Sequence, residues 1–219
     1  MTFSLVGRCS RTGQIGAAVS TSSIAVGARV AYCEAGVGAV LTQHRTDPRL
    51  GPRGLTLLRS GCSAQHTIDA LVASTPFAHW RQIAVLDSAG NTACFSGSRT
   101  RAEMSEAPAQ DVCAIGNILS SARVPPAMLR AFQADPMAPL AERLLRALEE
   151  GLTAGGENGP VRSASLLVVE HASFPLVDLR VDWHDTPIAE LRALWNRYAP
   201  QMNEYALRAL DPDNPAIHS

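Results

Sequence analysis

The chain contains no lysine: all 19 of its basic residues are arginine. A lysine general base, a Schiff-base lysine and a phosphate-loop lysine are therefore excluded. The cations that remain are of the kind that grips carboxylates bidentately. No apolar run approaches the ~20 residues of a membrane-spanning helix, and the N-terminus lacks the basic-then-apolar pattern of a secretory signal. Both absences read as a cytoplasmic protein. Nineteen basic against 20 acidic residues leave a formal charge of −1, which gives no electrostatic case for nucleic acid or an anionic membrane. The five cysteines (Cys9, Cys33, Cys62, Cys94 and Cys113) stand singly, with no C-x-x-C pair. That spacing argues against a disulfide framework or a thiolate zinc site, and each reads as a small buried hydrophobe. The histidines form neither H-x-x-x-H nor H-E-x-x-H. Neither a metal nor a cofactor is expected.

What is present describes an ordinary globular protein: 219 residues, 46% hydrophobic, 18% charged, with mean hydropathy of +0.02. Residues 2–8 and 14–20 read as a hairpin turned by Ser10-Arg11-Thr12-Gly13. Residues 27–34 and 36–43 read as a second pair of strands. Helical spacing follows over 52–60, then again after Ser63, a candidate N-cap. Arg81–Asp87 and Asn91–Gly97 form another hairpin, 98–110 reads as a surface loop, and Asp111–Ile115 as a strand ending in Gly116-Asn117. Helices over 124–134 and 137–151 precede a Gly-rich loop, strands over 163–170 and 176–183, and a final helix capped by Thr186-Pro187. His184, with Asp182 and Asp185, is expected to cap that helix. Tight turns between strands predict mainly antiparallel sheets, and the alternation of strand runs with helix pairs predicts an α+β fold with helices on the outer faces of two sheets. With no repeat and no long linker, one domain over 1–210 is expected, followed by a frayed tail over 211–219.

The chain enters its first strand at once. Phe3, Leu5 and Gly7 alternate with Thr2, Ser4 and Val6. Met followed by a small residue is a substrate for methionine aminopeptidase, and its removal would expose Thr2. A threonine there carries a hydroxyl and an α-amine on one residue, and the amine's reference pKa of about 7.7–8.0 lets it accept the hydroxyl proton near neutrality.

Several further segments carry a family resemblance. They are Thr2-Phe3-Ser4-Leu5-Val6, Ala35 to Gln43, Gly51-Pro52-Arg53-Gly54-Leu55, Gly116-Asn117-Ile118-Leu119, Gly155-Gly156 to Ser163-Ala164, and Leu179-Arg180-Val181-Asp182 with His184 and Pro187. Together they resemble the bacterial DUF1028 family, which is grouped with the N-terminal nucleophile (Ntn) hydrolases, and the likeness runs from Thr2 to about Tyr198. The resemblance implies a four-layer αββα sandwich with the nucleophile at the start of a central strand. The chain departs from the family pattern at Asp47, Leu50 and Trp183 and in the run Glu157-Asn158-Gly159-Pro160.

The resulting reading is an Ntn-type amidohydrolase of a small amide or short peptide. Thr2 is the nucleophile, Gly116 and Asn117 hold the oxyanion, and Ser163 contacts the nucleophile. Ser20, Ser22, Glu34, His44 and Arg162 are candidates for binding substrate. The alternative is a non-catalytic ligand-binding or assembly protein that keeps Met1 on the same fold. A third reading places acid/base chemistry on Glu34, His44 and Asp47. Antiparallel sheets and the Leu-rich helix pair make a homodimer plausible.

Overall fold

A computed structural model describes residues 1–100 and 103–214. Among these, strands β1 (Thr2–Arg8), β2 (Ile15–Thr21), β7 (Ser105–Ala109), β8 (Val112–Asn117), β9 (Ser163–Val169) and β10 (Val177–Val181) form one sheet in the order β10-β9-β2-β1-β8-β7. Strands β3 (Ala31–Glu34), β4 (Gly38–His44), β5 (Arg81–Asp87) and β6 (Thr92–Ser96) form a second, in sequential order. Every pairing is antiparallel. The helices are α1 (Leu50–Arg59), α2 (Ala64–Ser74), α3 (Val124–Gln133), α4 (Leu140–Thr153), α5 (Pro187–Tyr198) and α6 (Met202–Leu210). The protein is thus a mixed α/β fold with two antiparallel sheets, as the turn spacing predicted.

Strand β1 is buried on both faces. Phe3 and Leu5 pack with Met128, Phe132, Leu144 and Leu148 of α3 and α4. Val6 points the other way and packs with Ile15, Val19, Leu41 and Leu86, which join the two sheets. A further cluster packs Val40, Ile83 and Val85 against Leu55, Leu58, Ile68 and Leu71 of α1 and α2. Each large apolar side chain withdrawn from water in these clusters contributes about 1.5–3 kcal/mol. The sequence alternation of β1 therefore separates two buried surfaces rather than a buried face and a wet one. Close approach on the helix side depends on Gly7 and Gly16, which are register partners. A Cβ at Gly7 would lie 2.6 Å from the Phe132 ring, and one at Gly16 would lie 2.7 Å from Leu144 Cδ1.

Several expectations need correction. The stretch 98–110 is not wholly a loop, because Ser105–Ala109 pairs with β8; its Pro108 is tolerated because β7 is a sheet edge, where a missing N–H breaks no ladder. Arg101 and Ala102 of that stretch lie outside the described residues. The strand expected over 27–34 begins only at Ala31, after a 3-10 turn over Val26–Ala28 that follows left-handed Ala25. Ser63 does cap α2, accepting from His66 N at 3.2 Å. Thr186 makes no side-chain cap to α5; His184 Nδ1 instead accepts from Thr186 N at 3.1 Å. The chain also continues past α5 into α6, through a 3-10 turn at Ala199–Gln201 that accommodates Pro200. In the expected tail, Asn214 Nδ2 donates to Asp211 Oδ2 at 2.9 Å, and residues 215–219 lie outside the described residues.

Candidate functional site

At one end of the six-stranded sheet the register lines up a transverse row of polar residues. Thr2 on β1 is opposite Asn117 on β8, and Thr21 on β2 is opposite Ser163 on β9. The row closes between β1 and β2, where Thr2 Oγ1 and Thr21 Oγ1 lie 3.2 Å apart. Directly opposed residues share a face, so all four side chains look toward the four-stranded sheet. Of the four, Thr2 and Thr21 line a cleft of about 380 Å³, together with Met1, His44, Arg45 and Arg81.

The peptide carbonyl of Met1 accepts hydrogen bonds from both the Thr2 and the Thr21 hydroxyl. Burial lowers the pKa of the Met1 amine; Glu157 opposes that shift and Arg45 adds to it. Glu157 is only 4% exposed, and neither of its carboxylate oxygens has a hydrogen-bond partner. Burial pushes its carboxyl up to about 7, against the pull of the N-terminal charge and of the nearby Ser22 backbone and hydroxyl. Ser22 is close enough to favour the charged form yet falls outside hydrogen-bonding geometry. Positive φ angles at Gly155 (128°) and Gly156 (61°) let the loop turn sharply. A bridge to Leu119 then fixes Glu157, and Asn158 N donates to Ile118 O at 2.9 Å.

Asn117 is fully buried, and its Nδ2 donates to Gln82 Oε1 at 2.9 Å. Gln43 Nε2 donates to the same oxygen at 2.7 Å, and Ser4 Oγ donates to Gln43 Oε1 at 2.6 Å. Gln82 Nε2 donates in turn to Gly116 O at 3.0 Å. The Ser4–Gln43, Asn117–Gln82 and Gln82–Gly116 bonds cross between the sheets and pin one against the other beneath the Thr2 row, and the Gln43–Gln82 bond ties them together within the four-stranded sheet. The Asn117 side-chain donor is thereby engaged, while its Oδ1 has no partner.

Other expected site residues are dispersed. Ser163 is close to the nucleophile row, but its Oγ donates to Ser23 O at 2.6 Å and accepts from Val26 N at 3.2 Å, which anchors the 3-10 turn. Ser20 pairs in register with Phe3 and so looks toward the helices, away from Thr2; its Oγ donates to Ser163 O at 3.0 Å. Ser22 and Ser23 line an adjoining cavity of about 330 Å³ with Met1, His44 and Arg45. His44 adopts a left-handed φ of 71° and stacks on Trp80 at 6.0 Å, with its Nδ1 2.9 Å from Trp80 O. Glu34 lies at the opposite end of the four-stranded sheet, on the order of 20 Å away, paired with Arg59. Asp47 is held by Arg49, whose Nη2 lies 2.8 Å from Oδ2 and which keeps its carboxyl below the usual range. Glu34, His44 and Asp47 therefore do not form one group. Arg162 pairs with Asp185 and lies 5.8 Å from the Trp183 ring centre, outside the Thr2 cleft lining.

The sequence alone assigned no site role to Thr21, Gln82 or the cleft arginines, and marked Glu157 only as part of a departure from the family pattern in a Gly-rich loop. All five cysteines are free. Among the described residues no three His, Cys, Asp or Glu side chains are placed to hold a metal ion, and no helix is long and apolar enough to cross a membrane.

No curated protein matches the chain. Among solved structures it is similar to protein SPO2555 from Silicibacter pomeroyi, at 31% identity and a TM-score of 0.83 over 90% of this chain and 88% of that one. A second structure, Anbu (ancestral beta-subunit) from Yersinia bercovieri, aligns at 11% identity and a TM-score of 0.40, over 91% of this chain and 96% of that one. The model of the family of unknown function DUF1028 matches residues 2–191, most of the chain including the Thr2 row, and the protein belongs to that family.

Proposed function

We propose that the protein is an Ntn-type amidohydrolase on a four-layer αββα sandwich, cleaving a small amide or short peptide once Met1 has been removed. The observation that carries this reading is the Met1 carbonyl, which lies against the Thr2 hydroxyl and accepts a second hydrogen bond from Thr21. A substrate carbonyl placed there would have the nucleophile on one side and a hydroxyl donor at its oxygen. In the proposed reaction Thr2 Oγ1 attacks the carbonyl carbon and passes its proton to the new Thr2 α-amine. Thr21 Oγ1 donates to the oxyanion, a role that Asn117 fills less well because its amide is bound to Gln82. The tetrahedral intermediate expels the amine product, which takes the proton from the ammonium. Water, deprotonated by the same amine, then releases the acid from the Thr2 ester. Glu157 positions the α-amine by accepting a hydrogen bond from it, and Ser163 holds the turn that walls the cleft.

Intact-mass measurement on protein from its native host, followed by assay against small amides, tests this reading. Loss of Met1, amidase activity, and a fall on the order of 1,000-fold or more in Thr2→Ala are expected. Retained Met1, or full activity in Thr2→Ala, would sink it. A second reading, a non-catalytic binding or assembly protein, draws on the same contacts: both hydroxyls cover the Met1 carbonyl and the Met1 amine is partly buried. Retained Met1 together with ligand binding is its signature.

A further inference from the structure

Three arginines line the cleft that holds Thr2. Arg45 follows β4, Arg81 opens β5 as the register partner of His44, and Arg29 follows the 3-10 turn; all three line the same cleft, to which no aspartate or glutamate contributes. Their charges are poorly neutralised. Among the described residues neither Arg29 nor Arg45 has a carboxylate partner. Arg29 uses Nη1 on the Ile24 and Ala25 carbonyls, and Arg45 lies 5.7 Å from the Trp80 ring centre. Arg81 reaches Asp47 only at 3.7 Å, and that carboxylate is already gripped by Arg49 at 2.8 Å. The Arg81 side chain is 13% exposed, and its buried Nε has no hydrogen-bond partner. In a chain whose net charge is −1, three guanidiniums converging on one cleft are not a by-product of overall basicity.

Like charges gathered in a recess repel one another. An anion bound among them relieves that repulsion. A planar carboxylate matches the guanidinium fork in geometry as well as charge. At about 380 Å³, the cleft lies near the small end of the range for small-molecule sites.

We infer that this cleft binds small amides that carry a carboxylate, such as N-acyl amino acids, with the carboxylate held by the arginines that line it, Arg29, Arg45 and Arg81. The amide half rests on the nucleophile reading above; the anion half stands on the arginines alone. His44, stacked on Trp80, lines the same cleft and limits how far the carboxylate can sit from the Thr2 hydroxyl, which restricts the spacer between amide and carboxylate.

Calorimetric titration separates the two halves. N-acetylglycine, N-acetyl-β-alanine and N-acetyl-γ-aminobutyrate are compared with their neutral primary amides, using wild type and Thr2→Ala. At least one acid is expected to bind tenfold or more tighter than its amide in both proteins, to weaken as salt is raised from 20 to 500 mM, and to weaken about tenfold in Arg45→Gln. Arg45 is exposed, so that variant tests binding without disturbing the core. Equal affinity for every acid and its amide, or unchanged acid binding in both Arg45→Gln and Arg29→Gln, overturns the inference. Inorganic phosphate binding tighter than every acid overturns the carboxylate assignment. Acid binding that persists in a Met1-free protein without turnover defeats the nucleophile reading and leaves the anion site standing. Turnover of neutral amides with no preference for acids does the reverse.

Discussion

Two glutamates removed from bulk water show how differently this fold treats a carboxylate. Glu142 on α4 accepts from Arg192 Nη1 at 2.6 Å, Trp195 Nε1 at 2.8 Å and Arg146 Nε at 2.6 Å. Burial alone would push its carboxyl up; the bonds from Arg192, Trp195 and Arg146 outweigh that and hold it below the usual range. Glu157, deeper still, has no hydrogen-bond partner and is pushed up to about 7. The first is a clamp that docks α5 onto α4. The second is a carboxyl kept unsatisfied beside the N-terminus, an arrangement that costs stability and is characteristic of working sites.

The largest effect separating the two is expected in stability. Glu142→Ala strands the Trp195 N–H and strips one partner from Arg192, so urea unfolding should show a loss of about 2 kcal/mol at pH 7. Glu157→Gln should do the opposite, gaining on the order of 1 kcal/mol above pH 7 because it removes a buried charge. If it also lowers kcat/KM for an amide substrate, Glu157 is a positioning residue rather than a packing accident.

The two carboxyls should also leave opposite marks on the pH profile. Glu142, with a lowered folded pKa, contributes stability that is present above its unfolded value near 4.5 and lost as pH falls through the folded value. Glu157, with a raised folded pKa, binds its proton more tightly when folded. Its contribution is therefore greatest below 4.5 and is lost as pH rises toward 7. Stability of Glu157→Gln measured across pH 4.5–7.5 should lack that decline; an unchanged profile would remove Glu157 from the account. The smallest effect belongs to Arg162→Ala, whose partner Asp185 has an 87% exposed side chain. It should leave thermal stability and the binding of carboxylated amides unchanged, marking the edge of the site.

Much of the fold was legible because it is written locally. The alternation in Thr2–Arg8, the turn at Ser10–Gly13, the Ser63 cap and the leucine spacing of α4 each depend on neighbours within a few residues. Misreadings arose where a distant partner decides. Ser105–Ala109 is a strand only because β8 lies beside it, and Ser20 faces the helices because β2 pairs with β1 in a register that puts it opposite Phe3. The candidate site was legible as Thr2 and Asn117, which the register does bring face to face. Glu34 was drawn in by its nearness to His44 in sequence, which the length of β4 undoes.

By itself the sequence determined the strands and helices, the absence of any lysine chemistry, and a threonine hydroxyl at the head of the first strand, because each follows from residue type and short-range periodicity. Only the tertiary structure decided what surrounds that hydroxyl. Thr21 came beside it through hairpin register, Glu157 was sealed without a partner by a glycine turn, and three arginines from separate segments came to line one cleft. Such placements depend on how sheet faces and loops pack across long separations in the chain, and no local pattern encodes the distance between them.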